Sequence, residues 1–281
     1  MSGVLPYLVS LTDDAETGEQ LLLAIANMEK LRILDFTVSY GGLYSWMPGA
    51  GSQPASDVLG RGLRRLRALH GDLFPAPRMH RLWGAVTAAK AQAGAVPLTR
   101  FGTSVARNGF APPARFLEAS GAPLETLQLD LRVNSSRRED NTVAAFHASR
   151  LSLAACPRLR SLTVHLDAPW RGSVDNLPVC AALLCTAPPT SALAHIAIIV
   201  ENLRAFSAAV HGVPEALGAL DARMAALPRL RRVDWKLVSR MSRAGPEDDI
   251  TDPLVDGLRQ CLPLLALREG VEVTWTMRNR R

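Results

Sequence analysis

Aromatic residues are scarce, at 5% of a 281-residue chain, and lysine is scarcer, with 3 against 29 arginines. No aromatic residue interleaves with the basic clusters Arg64-Arg65 with Arg67, Arg137-Arg138, Arg231-Arg232 and Arg278 to Arg281, which are spread along the sequence. A nucleic-acid binder concentrates charge on one face or stripe. The net charge of +6 therefore reads as solvated surface, the arginine excess as a coding bias, and nucleic acid is not an expected partner. No uncharged apolar run approaches the ~20 residues that cross a bilayer, so no membrane role is expected. The start, Met1 to Asp14, has no basic region and is interrupted by Pro6, which makes a poor signal peptide. Four cysteines, Cys156, Cys180, Cys185 and Cys261, are too few for a disulfide scaffold of this length. Free thiols in a reducing compartment follow, in the cytoplasm or nucleus.

Signatures of chemistry are also missing. Gly60-Arg61-Gly62 follows no predicted strand and lacks the Lys-Ser/Thr of a phosphate loop. Cys180 and Cys185 have no second pair at a zinc-like spacing, and both read as core. The six histidines form no ligand pair, and no G-x-S-x-G elbow occurs. Glu139-Asp140 and Glu247-Asp248-Asp249 read as solvated loops. No catalytic residue, metal or cofactor is expected.

What the chain does contain is an internal repeat. Apolar residues recur at relative positions 1, 4, 6 and 8, as in Leu31, Leu34, Phe36 and Val38. A second unit is read at Met79, Leu82 and Val86, with Gly84 in the third slot. The series continues with Leu124, Leu127, Leu129, Leu131, then Leu159, Leu162, Val164, Leu166. Leu193, Ile196, Ile198, Val200 and Leu230, Val233, Trp235, Leu237 follow, and Val271, Val273, Trp275, Met277 keep the alternation. Positions 4, 6 and 8 alternate with polar residues at period two, the pattern of a half-buried strand.

Short helices with apolar faces are predicted before the strands, at Leu21 to Met28, Leu151 to Cys156, Val179 to Cys185 and Leu217 to Leu227. Pro157 and Pro228 stop two of them, because the residue before proline leaves the helical region. The segments Gly41 to Gly62 and Ala91 to Pro113 read as loop insertions, with further loops at Asn134 to Asn141 and Ser239 to Pro253. Strand and helix in repeated succession require parallel strands and right-handed crossovers, and neighbouring units must stack to bury their faces. The expected fold is α/β: one solenoid domain over 1–281, of about seven irregular units. A curved parallel sheet would form the concave face and helices the convex one.

Leu124-Glu-Thr-Leu127-Gln-Leu129, Leu159-Arg-Ser-Leu162-Thr-Val164 and Leu31-Arg-Ile-Leu34-Asp-Phe36 resemble leucine-rich repeats of the LxxLxL type. Cys156-Pro157-x-Leu159 resembles the cysteine-containing subclass of F-box substrate receptors. The family's asparagine is replaced by Ser39, Arg132, Asp167, Glu201 and Val238, so its hydrogen-bond ladder is missing. About thirty residues precede the first strand, too few for the helices of an F-box. The resemblance implies a protein-interaction scaffold and a cullin-adaptor link of the kind F-box receptors have.

On a solenoid, residues at positions 5 and 7 face the open side, the usual binding surface. The expected strip includes Trp83, Gln128, Asp130, Thr163, His165, Ile199, Asp234 and Lys236, with His195 nearby. Trp83 and Ile199 are large apolar groups on that face and are candidate anchors for a partner, unless a loop or neighbouring unit covers them. A non-enzymatic binding module is the reading that follows. The alternatives are a small hydrolase- or transferase-type enzyme on the same face, and an F-box-less remnant without a defined partner.

Overall fold

A computed structural model describes residues 32–37, 63–72, 77–105, 110–131, 142–167, 176–201, 214–240 and 248–280. Its elements alternate. Strands β1 (Ile33–Thr37) and β2 (Ala68–Asp72) are followed by helix α1 (Pro77–Lys90), β3 (Arg100–Ser104) and α2 (Ala111–Ser120). Then come β4 (Thr126–Asp130), α3 (Thr142–Ser149), a 3-10 turn (Leu153–Ala155), β5 (Ser161–Asp167) and α4 (Asn176–Cys185). The series ends with β6 (His195–Glu201), α5 (Pro214–Ala226), β7 (Arg232–Arg240), α6 (Asp248–Cys261), α7 (Pro263–Leu267) and β8 (Glu272–Arg280).

The eight strands form one sheet in sequential order, and every neighbouring pair is parallel. The register stacks equivalent residues. Phe101, Leu127, Leu162, Ile196, Val233 and Val273 form one row across the sheet, and Leu129, Val164, Ile198, Trp235 and Trp275 form another. From Phe101 to Val233 and from Leu129 to Trp235 these residues are fully or almost fully buried. Every described helix contributes to the same buried cluster, and none of the alternate strand positions does. The helices touch one another in succession, α1 on α2 and onward to α6 on α7. They thus form a single layer on one face, and the other face carries no described helix.

Two close approaches lock neighbouring units together. Gly121 ends α2 by donating its N–H to Leu117 O at 2.7 Å. A Cβ there would stand 2.8 Å from Ala155 O and 2.9 Å from Cys156 Sγ, so only glycine lets the next turn dock. Asp221 on α5 is buried, and its carboxylate accepts the N–H groups of Leu264 and Leu265, both at 2.8 Å, at the start of α7. In return the Arg268 guanidinium donates to the carbonyls of Met224 (3.1 Å), Ala225 (2.8 Å) and Leu227 (2.5 Å) at the end of α5. The end of α5 and the start of α7 thus find their missing partners on one another's units.

The structure corrects several expectations. Met79 to Val86 is not a strand; it lies inside α1, and Trp83 belongs to the core, 7% exposed and packed on Phe101 and Phe116. Two strands absent from the expected series, β2 and β3, take its place, the second inside the segment read as an insertion at 91–113. The last unit shifts by two residues, since Val273 and not Val271 pairs with Val233. Leu151 to Cys156 contains only a 3-10 turn, and a helix the pattern did not announce, α3, precedes it. Helix α6 starts within the loop expected to reach Pro253, and Cys185 is exposed while Cys180 is core. The expected helix at Leu21 to Met28 and the insertion 41–62 lie outside the described residues.

Candidate functional site: the helix-free face

The alternate positions of the strands face away from the helices, and their residues touch across strands. Gln128 on β4 and His165 on β5 are hydrogen-bonded at 2.9 Å through Nε2 of each. Thr163, Ile199 and Lys236 are half-buried on the same face, and Ile199 sits between His165 and Lys236 in register. Asp130 is buried, 3% exposed, beside Ser104 and His165 in register. His70 on β2 lies over Gly102 of β3, where even a Cβ would collide with the imidazole Cδ2.

A denser network crosses β5 to β8. Ser161 Oγ is 3.1 Å from His195 Nδ1, and His195 Nε2 is 2.9 Å from Asp234 Oδ2. Arg232 Nε donates to Asp234 Oδ1 at 2.7 Å, and the Thr274 hydroxyl donates to the same oxygen. The Asp234 side chain is 8% exposed. Burial alone would raise its pKa. The hydrogen bonds from Thr274, Arg232 and His195, together with the His195 charge, outweigh this and bring it down to about 2. Asp234 is therefore an anionic hub joining three strands. Ala197, its neighbour in register on β6, is 1% exposed yet outside the hydrophobic cluster.

Serine, histidine and carboxylate in hydrogen-bonded sequence are the parts of an acyl-transfer site. Such a site also needs N–H donors aimed at a developing oxyanion. Here the nearest backbone donors are already engaged, Ser161 N with Glu125 O and His195 N with Arg160 O, both at 3.0 Å. Among the described residues no group of three His, Cys, Asp or Glu could hold a metal ion. Burial pushes the thiols of Cys156 and Cys180 up to about 12, which makes both poor nucleophiles. No described helix is long and apolar enough to cross a membrane.

Of the expected strip, the structure places Gln128, Asp130, Thr163, His165, Ile199, Asp234 and Lys236 at alternate strand positions, and it removes Trp83. It adds Ser161, Arg232 and Thr274. Ser161, His195 and Arg232 occupy position 3 of their units, two residues before position 5. The period-two rule that placed positions 5 and 7 reaches them when extended back by one step.

No protein-family model, curated protein or solved structure matches the chain.

Proposed function

We propose that the chain is a leucine-rich-repeat-like solenoid whose helix-free sheet face binds a protein partner without catalysing a reaction. One observation supports this reading above the others: a parallel sheet of eight strands whose described helices all lie on a single face. Parallel sheets are ordinarily covered on both sides. Stacked repeats are the architecture that leaves one side open and uses it for binding. The residues on that face suit a polar partner with a small apolar contact, Ile199 being the large aliphatic group among half-buried polar neighbours. The engaged N–H groups at Ser161 and His195 favour binding over acyl transfer. A link to cullin adaptors rests on the resemblance to F-box receptors alone.

The test is affinity purification of the tagged chain from its own cells, with three baits compared by mass spectrometry. A partner retained by the wild type and by Glu118→Arg on the exposed side of α2, but lost with Ile199→Asp, is the expected result. Equal recovery with all three baits would remove the face from consideration. A cullin adaptor among the retained proteins would extend the reading to ubiquitin ligation.

A further inference from the structure

The turns that lead into the strands carry a second ladder. The carbonyl of Arg32 accepts the N–H groups of Arg67 and Ala68, and that of Arg67 accepts those of Thr99 and Arg100. The pattern repeats from Thr99 to Glu125, Arg160, Ala194 and Arg231, ending at Glu272 N on Arg231 O at 2.8 Å. One residue per unit, immediately before each strand, is thus stacked along a single edge of the sheet. Four of these rungs are arginine: Arg32, Arg67, Arg160 and Arg231.

Adjacent positions deepen the charge. Arg100 and Arg232 open their strands, and Arg158 and Arg229 stand two residues before their rungs, in the matching junctions Pro157-Arg158-Leu159-Arg160 and Pro228-Arg229-Leu230-Arg231. Among the described residues, the first residue of each strand and the three before it include nine arginines, all exposed. They are opposed by three exposed glutamates, Glu125, Glu269 and Glu272, and by Asp234, which pairs with Arg232 at 2.7 Å. With Asp234 counted against Arg232, this edge carries a balance of +5, close to the +6 of the whole chain. Arginines scattered through the sequence are stacked in space.

We infer that this strand-leading edge binds the phosphodiester backbone of a nucleic-acid duplex, without reading its sequence. Strands spaced 4.7–4.9 Å apart put Arg32 and Arg231, the first and last of seven rungs, about 29 Å apart, a little under one duplex turn. Guanidinium forks match phosphate oxygens two bonds at a time. The turns hold no aromatic residue on which an unpaired base could stack, which selects a duplex over a single strand. The contact this edge offers is charge, which is what a phosphate backbone takes. The edge adjoins the helix-free face and shares Arg100 and Arg232 with it, but its rung arginines Arg32, Arg67, Arg160 and Arg231 lie outside that face, so the inference stands whether or not the reading of the face holds.

The experiment is fluorescence anisotropy of labelled 20-base-pair DNA and RNA duplexes of mixed sequence, titrated with the full chain from 50 to 200 mM salt. Engagement of four or more phosphates predicts a slope of log Kobs against log[salt] of about −3.6 or steeper. Removing three rungs in Arg67→Gln/Arg160→Gln/Arg231→Gln should flatten the slope by about 2.7 and weaken binding at least tenfold. Should the triple variant unfold at a lower temperature, the single variants are read instead, each flattening the slope by about 0.9. The duplex bound more tightly names the source of the phosphates. Three results would overturn the inference: neither duplex bound at 50 mM salt, a slope unchanged by the substitutions, or polyglutamate competing as well per charge as either duplex. The last would assign the edge to acidic polypeptides.

Discussion

Between β4 and β7 the second core row is filled by Leu129, Val164, Ile198 and Trp235, whereas β2 and β3 place Gly71 and Thr103 there. The missing volume is supplied from elsewhere: Trp83 on α1 meets Phe101 and Phe116 at centroid distances of 5.9 and 5.8 Å, and those two rings are 4.3 Å apart. The Lys90 amine at the end of α1 adds polar ties, donating to the carbonyls of Arg64 (3.0 Å), Leu66 and Val96 (2.7 Å). One region closes its core with strand residues in rank, aliphatic up to Trp235, and the other with Phe101 of β3, two rings brought from helices and a lysine clamp. The same backbone plan therefore tolerates two packing chemistries, and only one of them leaves a periodic trace.

The comparison can be broken most forcefully at its tryptophans. Trp235 is fully buried and stacks on Trp275 at 5.5 Å, and Trp83 is 7% exposed. Truncating either to alanine should cost about 3–5 kcal/mol in urea unfolding if both packing schemes are equally tight. A cost below about 1 kcal/mol for Trp83→Ala alone would show that the aromatic region is loosely packed. A medium effect is expected at Gly102. Leucine there must displace His70, and overpacking of this kind costs about 1–3 kcal/mol. Gly218→Ala on α5 is the control, since nothing lies within 4 Å of a Cβ at that position and alanine favours helix.

The smallest effect is expected at Asp234, in the regular region. Asparagine keeps the acceptor for Thr274 and Arg232 but loses the charge, for a cost of about 1–2 kcal/mol at neutral pH. Because the folded carboxyl is depressed to about 2, its contribution is complete above the unfolded value near 4 and disappears as pH falls through 2. Acid unfolding curves of wild type and Asp234→Asn should therefore converge between pH 4 and pH 2. Curves that remain parallel would mean that the hub does not hold its charge as described.

The legibility of the sequence follows the same division. From β4 to β7, Leu127, Leu162, Ile196 and Val233 stand at the positions the repeat assigned, because each apolar slot there packs against its equivalent in the next strand. In the first region the repeat pattern selects Met79, Leu82 and Val86. With Gly84 in the third slot, the remaining spacing is i, i+3, i+7, which is also one face of a helix. The true strands were hidden for the complementary reason, as Gly71 and Thr103 interrupt the alternation. On the helix-free face, Gln128, His165, Ile199 and Asp234 were readable from period alone. The Ser161–His195–Asp234 connection was not, because it runs across three strands separated by more than thirty residues at each step.

The strictly sequential order of strands also bears on how such a chain comes into being. The side-chain hydrogen bonds that tie α5 to α7 span up to 44 positions, the distance to the next unit. No unit waits for a distant segment to complete it, so the loop-closure entropy to be overcome at each addition is small. As the chain leaves the ribosome, each strand finds the edge of its predecessor already in place. Synthesis in this direction resembles laying a course of bricks, and a fragment ending at Ala226 already contains the six strands β1 to β6.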